Sequence, residues 1–409
     1  MAKKTVADID VKGKKVLMRV DFNVPLDENR NITSDARIVA ALPTIKAILE
    51  KEGSVILMSH LGRPEGEKKM EFSMAPVAKK LGELLGKEVI FANDCIGEDV
   101  QKKAAGLKPG EVMLLENVRF YKAEEIKDKK AADDPKLRQA KDDFAKQIAA
   151  LGDAYVDDAF GTAHRDNASM YTVPDMMKGK DRVIGFLVEK ELKFLDDAIN
   201  NPKKPFVAIL GGAKVSDKLK VIENLMKKVD KIIIGGAMAY TFFKAKGLSV
   251  GNSLCEDEFV DKAKELMGKQ GCELVLPVDT VISKEIKPGA ENKIVAGNIP
   301  DGWQGVDIGP ESTKLFVEKL EGTKTVVWNG PMGVFEVPPF DTGTKAVAEA
   351  VAKATDAGAI SVIGGGDSAS AIKKMGLSKR VSHVSTGGGA SLEFMEGKKF
   401  KCLEILDEK

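Results

Sequence analysis

The side chains best suited to chemistry fall into two sets that occupy different halves of this 409-residue chain. Arg19, Arg30, Arg37, Arg63, Arg119, Arg138, Arg165 and Arg182 lie in the first half, and only Arg380 lies beyond it. The second half carries glycine clusters instead, at Gly211-Gly212, Gly235-Gly236, Gly364-Gly365-Gly366 and Gly387-Gly388-Gly389. Guanidinium forks and bare backbone amides are two common ways of holding phosphate, and here they are sorted by position. In the first half, strand-like runs end in Arg19-Val20-Asp21-Phe22-Asn23, Ser59-His60-Leu61-Gly62-Arg63, Glu116-Asn117-Val118-Arg119 and Ala163-His164-Arg165. The carboxyl ends of strands in an open parallel sheet share one edge, so these segments can converge on one crevice lined by guanidinium and imidazole groups. Arg37 follows Ser34-Asp35, a helix start, where a cation opposes the macrodipole at a cost of roughly 0.3–1 kcal/mol that a bound anion would remove. Any single arginine is explained as well by a surface carboxylate. Arg37, Arg63, Arg119 and Arg165 together point to an anion site, with His60 and His164 beside two of them.

In the second half, Leu210-Gly211-Gly212-Ala213-Lys214-Val215-Ser216-Asp217-Lys218 reads as a buried strand, a glycine turn and a helix with two lysines at its amino end. Two ammonium groups there are misplaced unless phosphate sits between them and the amides; otherwise both simply reach water. Gly235-Gly236-Ala237-Met238 and Gly364-Gly365-Gly366-Asp367-Ser368 repeat the pattern. Glycine costs about 1 kcal/mol relative to alanine inside regular structure, but it lets a ligand approach the backbone. Asp367 is either a helix cap or, beside a nucleotide phosphate, a carboxylate for Mg²⁺. Trp328-Asn329-Gly330-Pro331-Met332-Gly333-Val334-Phe335-Glu336 reads as a strand-end loop for a flat base with Glu336 placed for ribose hydroxyls, or as a plain turn with one packed aromatic.

The elements that must position these groups read as repeated βαβ units. Apolar runs at 16–20, 55–58, 89–91, 112–115, 206–210, 232–234, 274–278, 326–328 and 360–363 fit strands buried on both faces of parallel sheets. Between them, Ile38, Leu42, Ile45, Leu49 and Leu219, Ile222, Leu225, Val229 keep helical spacing. The length exceeds what one core usually organises, which predicts two domains, and the amphipathic segment Phe186–Ile199 ending in Asn-Asn-Pro-Lys-Lys-Pro places the boundary, giving domains over 1–185 and 202–397 joined by a helix over 186–201. The segment 122–141 is charged, poor in large apolar residues and contains Pro135, which predicts a solvated helical excursion rather than core.

Composition narrows the function classes. Lys+Arg 63 against Asp+Glu 62 leaves no field that would recruit nucleic acid or an acidic membrane. Cys95, Cys255, Cys272 and Cys402 form no C-x-x-C pair, which argues against a disulfide framework or a zinc site and implies a reducing compartment. No apolar signal core opens the chain and no run approaches the roughly 20 residues that span a bilayer, so a cytoplasmic location is expected. His164-Arg165-Asp166 imitates the catalytic loop of protein kinases, but Tyr171 stands where its asparagine belongs. The glycines form no G-x-x-x-x-G-K-[ST], and no G-x-G-x-x-G follows the first strand. A nicotinamide-dependent dehydrogenase and a non-catalytic two-lobed binder are the rival readings.

Six segments, RVDFNVP at 19–25, SHLGRP at 59–64, GGAKVSDK at 211–218, WNGPMGVFE at 328–336, GGGDS at 364–368 and VSTGGGASLE at 384–393, carry a resemblance no single motif carries. In that order, over nearly its whole length, the chain closely resembles the phosphoglycerate kinase family. The resemblance implies an α/β fold of two Rossmann-like domains with parallel sheets joined by a hinge helix, the tail 398–409 returning to the first domain. It implies reversible phosphoryl transfer from 1,3-bisphosphoglycerate to MgADP, with Mg²⁺ as the cofactor and hinge closure joining the substrates. Asp21, Asn23, Arg37, His60, Arg63, Arg119 and Arg165 would hold the acid, joined by His164. Arg37 and Lys214 would be catalytic. Gly212, Lys214, Lys218, Gly235, Gly236, Gly365, Gly366 and Ser368 would serve the nucleotide, and Asn329, Pro331 and Glu336 its nucleoside. Gly364, Gly387 and Gly388 would offer amides to the transition state, and Asp367 would hold the metal. Small-molecule substrates and a monomer are expected, without nucleic acid or membrane partners. The chain also departs from the family pattern. Asp166-Asn167 replaces the usual Ala-His and places a carboxylate beside the anion site, 122–141 is longer than the common bacterial form, and the tail lacks a proline-glycine turn.

Overall fold

The computed structural model describes residues 2–409. The chain forms two compact units, one running through Leu192 and including Lys399–Lys409, the other Lys193–Lys398. In the first, six parallel strands lie in the order β3-β4-β2-β1-β5-β6, with β1 Lys15–Val20, β2 Ser54–Met58, β3 Val89–Phe91, β4 Val112–Leu114, β5 Ala154–Asp158 and β6 Arg182–Ile184. Helices cover the sheet, so β2 is buried throughout and reads as a continuous apolar run. The central strand β1 nevertheless carries Arg19 with no exposed surface; its Nε donates to Ser169 Oγ at 2.8 Å.

In the second unit the order is β15-β14-β13-β7-β8-β9, with β7 Phe206–Leu210, β8 Lys231–Ile234, β9 Glu273–Val275, β13 Thr325–Asn329, β14 Ile360–Gly364 and β15 His383–Val384. Numbered from β7, this is the doubly wound order of dinucleotide-binding folds, whereas the first unit sets its third strand outside its fourth. Parallel sheets are thus present in both units, but they do not account for every strand. β10 Asp279–Ser283, β11 Asn292–Ala296 and β12 Gln304–Ile308 form a separate antiparallel sheet in the order β11-β10-β12. The periodicity misses it because β11 is largely exposed and carries few apolar residues. β5 escapes for a different reason: it ends in Asp157-Asp158, both fully buried.

The segment 122–141 is helical and mostly solvent-facing, as expected, but it also carries buried ions that composition does not show. It forms a helical turn Lys122–Glu125, a helix Asp128–Asp133 and the start of a helix Pro135–Ala149, and within it Glu124 and Lys141 have no exposed surface. Composition cannot reveal this, because a charged residue is buried only where partners satisfy it, and those partners lie elsewhere in the chain. The tail packs within the first unit without a proline-glycine turn: Lys4 N donates to Asp407 O at 2.9 Å, Asp407 N to Arg182 O at 2.8 Å and Lys3 Nζ to Leu406 O at 2.7 Å.

The helix Phe186–Asn200 crosses the division between the units and is anchored at its start. Phe186 N donates to Thr44 Oγ1 at 2.9 Å, and Leu187 N and Val188 N donate to Asp158 Oδ1 at 2.9 and 3.3 Å. Burial pushes the Asp158 carboxyl up to about 7 despite hydrogen bonds from Thr44, Val188 and Leu187 that favour its ionised form. The folded state therefore holds a proton that the unfolded chain, with an ordinary carboxyl near 3.8, has lost. On this account stability falls as pH rises between those values, by up to roughly 1.4 kcal/mol per pH unit, and levels off above the upper one. Asp158→Asn should remove that slope. Urea unfolding of both proteins between pH 5 and 8 checks it, and parallel profiles would refute it.

Candidate functional site

In each unit the strand order reverses beside the first strand, and turns at the carboxyl ends on either side of that point frame a crevice. In the first unit Asp21 and Asn23 follow β1, His60 and Arg63 follow β2, Arg119 follows β4, and His164 and Arg165 follow β5. Arg37 enters from the first turn of the helix Ala36–Glu50. Its Nη1 lies 2.5 Å from Asp21 Oδ2, so the misplaced cation already has a carboxylate partner, and Asp21 orients Arg37. Asn23 Oδ1 accepts from Gly62 N at 2.9 Å, and Arg119 Nη1 donates to Gly62 O at 2.8 Å. The turn that presents exposed Arg63 is therefore fixed from both sides.

His60 is the electrostatic centre of this group. Its Nδ1 lies 3.4 Å from Arg19 Nη2. Burial, and then the charges of Arg19, Arg119, Arg165 and Arg37, push its imidazole well below the usual histidine range. The four guanidinium groups thus act on one buried ring, which is neutral at physiological pH and suited to hydrogen bonding rather than to donating a proton. Arg165 is exposed, and its Nε lies 3.2 Å from His164 Nε2. The carboxylate of Asp166, expected beside the anion site, accepts from Asp128 N at 2.9 Å and so is engaged by the 122–141 segment.

In the second unit the turns after β7, β8 and β13 interlock backbone to backbone. Gly211 N donates to Asn329 O at 2.9 Å, Gly212 N to Pro331 O at 3.2 Å, Gly235 N to Leu210 O at 2.9 Å and Gly236 N to Met332 O at 2.9 Å. This corrects the reading of bare amides at Gly212, Gly235 and Gly236: their N–H groups are spent on the fold, and glycine is required by close approach at Gly235 and Gly236 and by a φ of +105° at Gly212. Gly387 N is likewise satisfied, by Ser385 Oγ at 3.1 Å. Ser368 Oγ accepts from Gly330 N at 2.6 Å, so its hydroxyl secures the turn after β13. Trp328 is fully buried and donates to Gly330 O at 2.7 Å; it is core, not a platform for a base.

Lys214 and Lys218 do not share a helical turn, because the helix begins only at Leu219. Glu256 holds the preceding loop instead, accepting from Ser216 N at 2.9 Å and Ser216 Oγ at 2.6 Å, and Lys218 N closes a turn on Val215 O at 2.9 Å. Lys214 is exposed and makes no hydrogen bond or ion pair among the described residues. Lys218 is half-buried and donates to Asn329 Oδ1; burial pushes its ammonium below the ordinary value, opposed by the charges of Asp217, Asp367 and Glu396. The other end of Asn329 is informative: the residue is 3% exposed, yet its Nδ2 has no hydrogen-bond partner. A side chain at Gly365 would crowd that nitrogen at 2.9 Å, and Gly365 itself adopts φ of +90°. Asp367 is exposed in the first turn of the helix Gly366–Lys374, and Glu336 is exposed in the loop after β13. Glu124, Lys141 and Glu256, which support these groups from behind, carried no sequence signal beyond being charged, and Arg19 stood only as the opening residue of a strand-end segment.

Residues 6–398 match the model of the phosphoglycerate kinase family. The chain belongs to the phosphoglycerate kinase family. A phosphoglycerate kinase of Rhodopirellula baltica is 55% identical over 412 residues, covering 100% of each chain. One from Thermosipho africanus is 54% identical over 414 residues, covering 100% of this chain and 99% of that one. A solved phosphoglycerate kinase structure from Coxiella burnetii superposes with a TM-score of 0.85 at 40% identity, covering 98% of each chain. Members of the family are phosphotransferases that use ADP and ATP and act on the carboxyl group of 3-phosphoglycerate, a step of glycolysis. This chain is such an enzyme. No described helix is long and apolar enough to cross a membrane.

Proposed function

We propose that the chain transfers phosphoryl from 1,3-bisphosphoglycerate to ADP, reversibly, with the acid on the arginine crevice of the first unit and the nucleotide on the interlocked turns of the second. The observation that carries this reading is the buried neutral His60 under the charges of Arg19, Arg37, Arg119 and Arg165, a focus of positive charge that an anionic substrate would neutralise. Asp21, Asn23, Arg37, His60, Arg63, Arg119, His164 and Arg165 are assigned to the acid. Lys214 and Lys218 are assigned to the nucleotide phosphates, and Asn329, Pro331 and Glu336 to the nucleoside. Gly212, Gly235, Gly236, Gly365, Gly366 and Ser368 shape the nucleotide site, and Gly364, Gly387 and Gly388 border the transferring group.

In the reverse direction the nucleophile is the acid's own carboxylate, ionised at neutral pH, so no general base is needed. Positioning and cations do the work: Arg37 and Lys214 stabilise charge on the transferring phosphoryl, and closure about the helix Phe186–Asn200 brings the substrates into line and excludes water. No group of three or more metal-ligating side chains occurs among the described residues, whereas the exposed Asp367 lies near enough to Lys218 for its charge to act on the ammonium. One carboxylate beside nucleotide phosphates is the donor set that suits Mg²⁺, which keeps its waters and takes phosphate oxygens. When bound there, Mg²⁺ would neutralise phosphate charge. We assign the chain to the cytoplasm as a monomer, without nucleic-acid or membrane partners.

A coupled assay with ADP and the acyl phosphate tests the reading; a dehydrogenase would need a nicotinamide cofactor instead, and a mere binder would turn nothing over. Within that assay Arg63→Ala should raise KM for the acid about tenfold or more while leaving KM for ADP within about twofold, since removing a charged hydrogen-bond partner costs roughly 1.5–3 kcal/mol. Equal changes in both would refute the division of substrates between units.

A further inference from the structure

We propose that the 122–141 segment is a clamp that fixes the Arg165 loop, with Lys141, Asp166 and Glu124 as positioning residues for the acid half of the reaction. The proposal rests on assigning Arg165 to the acid substrate. Lys141 is fully buried, and its Nζ donates to Asp166 O at 2.6 Å and to Asp128 Oδ1 at 2.8 Å. The carbonyl it grips belongs to the residue directly after Arg165. Asp166 returns the contact, its Oδ2 accepting from Asp128 N at 2.9 Å. A second staple lies three residues on. The fully buried Glu124 accepts from Ser169 N at 2.8 Å, from Ser169 Oγ at 2.6 Å and from Asn167 Nδ2 at 3.3 Å. Ser169 Oγ in turn receives Arg19 Nε at 2.8 Å, and Arg19 reaches His60. Next to Glu124, Glu125 Oε1 lies 3.0 Å from Arg119 Nε.

Two features that look unrelated in the sequence are therefore one device. Asp166 and Asn167, with Ser169, are the residues whose side chains join the Arg165 loop to the 122–141 segment. A buried ammonium is costly unless every donor is satisfied, so Lys141 holds its partners in one arrangement rather than merely adding attraction. A guanidinium on an exposed loop loses much of its value when its position wanders, because misplacement by an ångström can cost about a hundredfold in rate.

The test uses the full chain, with steady-state kinetics for 3-phosphoglycerate and ATP. Asp166→Ala, which deletes the acceptor, should raise KM for 3-phosphoglycerate about tenfold while KM for ATP stays within about twofold. Asp166→Asn, which keeps an acceptor oxygen but removes the charge, should stay near wild type. If Asp166 acted only as a negative charge near the anion, both variants would lower KM, and the clamp would be refuted. Lys141→Met should match Asp166→Ala; should it fail to fold, the Asp166 pair decides alone. In an Arg165→Ala background, Asp166→Ala should add nothing, and an undiminished effect there would overturn the proposal. The two readings fail differently. Arg165→Ala leaving KM for the acid unchanged removes the substrate assignment, whereas an active Arg165→Ala phenotype with an inert Asp166→Ala removes the clamp alone.

Discussion

Lys214→Ala should lower kcat by about a hundredfold to a thousandfold while changing KM for ADP far less, the loss expected when one charge-stabilising donor leaves a transition state. The effect follows from the difference between two lysines four positions apart. Lys218 is half-buried and tied to Asn329, so its charge is fixed in place and serves ground-state binding. Lys214 sits exposed on a loop that Glu256 secures through Ser216, and though its charge acts on Glu256 it makes no hydrogen bond or ion pair among the described residues. A flexible ammonium on a rigid base can follow a phosphoryl group as it moves, and charge added only in the transition state raises kcat rather than affinity. Because Lys214 contributes nothing to packing, the variant should unfold within about 0.5 kcal/mol of the parent, as surface substitutions usually do. Steady-state kinetics beside thermal unfolding separates the outcomes. Near-normal turnover would remove Lys214 from the catalytic role, and a matching rise in KM for ADP would make it a second Lys218.

How much of this was legible in the sequence depends on where each group finds its partners. Arg63, Arg119 and Arg165 could be recognised because parallel sheets place strand ends on one edge, so position along the chain encodes position in the fold, and Arg37 because a cation in a helix's first turn is misplaced without an anion. His60 shares that logic, and the structure adds what sequence cannot: burial within the field of four guanidinium groups. The glycine clusters were visible as turns, but their use was not, since a close backbone approach and an amide offered to ligand require the same residue. Only the carbonyl acceptors across from Gly212, Gly235 and Gly236 decide between them. Lys141 and Glu124 were illegible for the opposite reason. In a polar stretch a buried ion looks like its solvated neighbours, and the groups that satisfy it, Asp166 O and Ser169, come from more than twenty residues away. The doubled carboxylates of β5 disguised an interior strand in the same manner.

The interlocked turns give the second large effect, from a single methyl group. At Gly211, Cβ would overlap the Pro331 carbonyl oxygen and lie 2.6 Å from the Gly330 carbonyl oxygen, both main-chain atoms without rotamers to yield. Gly211→Ala must therefore push β7 and β13 apart at the point where the strand order reverses, at a cost of about 1–3 kcal/mol or more by analogy with overpacked cores. Displacing that turn moves Asn329, and with it the anchor of Lys218 and the unpartnered amide beside Gly365. The nucleotide half should fail while the acid half survives, since every residue of the arginine crevice lies in the other unit. Calorimetric titration of the folded variant should accordingly show ADP affinity reduced by about tenfold or more and 3-phosphoglycerate affinity within about twofold of the parent. Unchanged ADP affinity would mean the backbone contacts of Gly211 stabilise the fold without shaping the site. Loss of both affinities in a folded protein would mean the two sites do not stand independently.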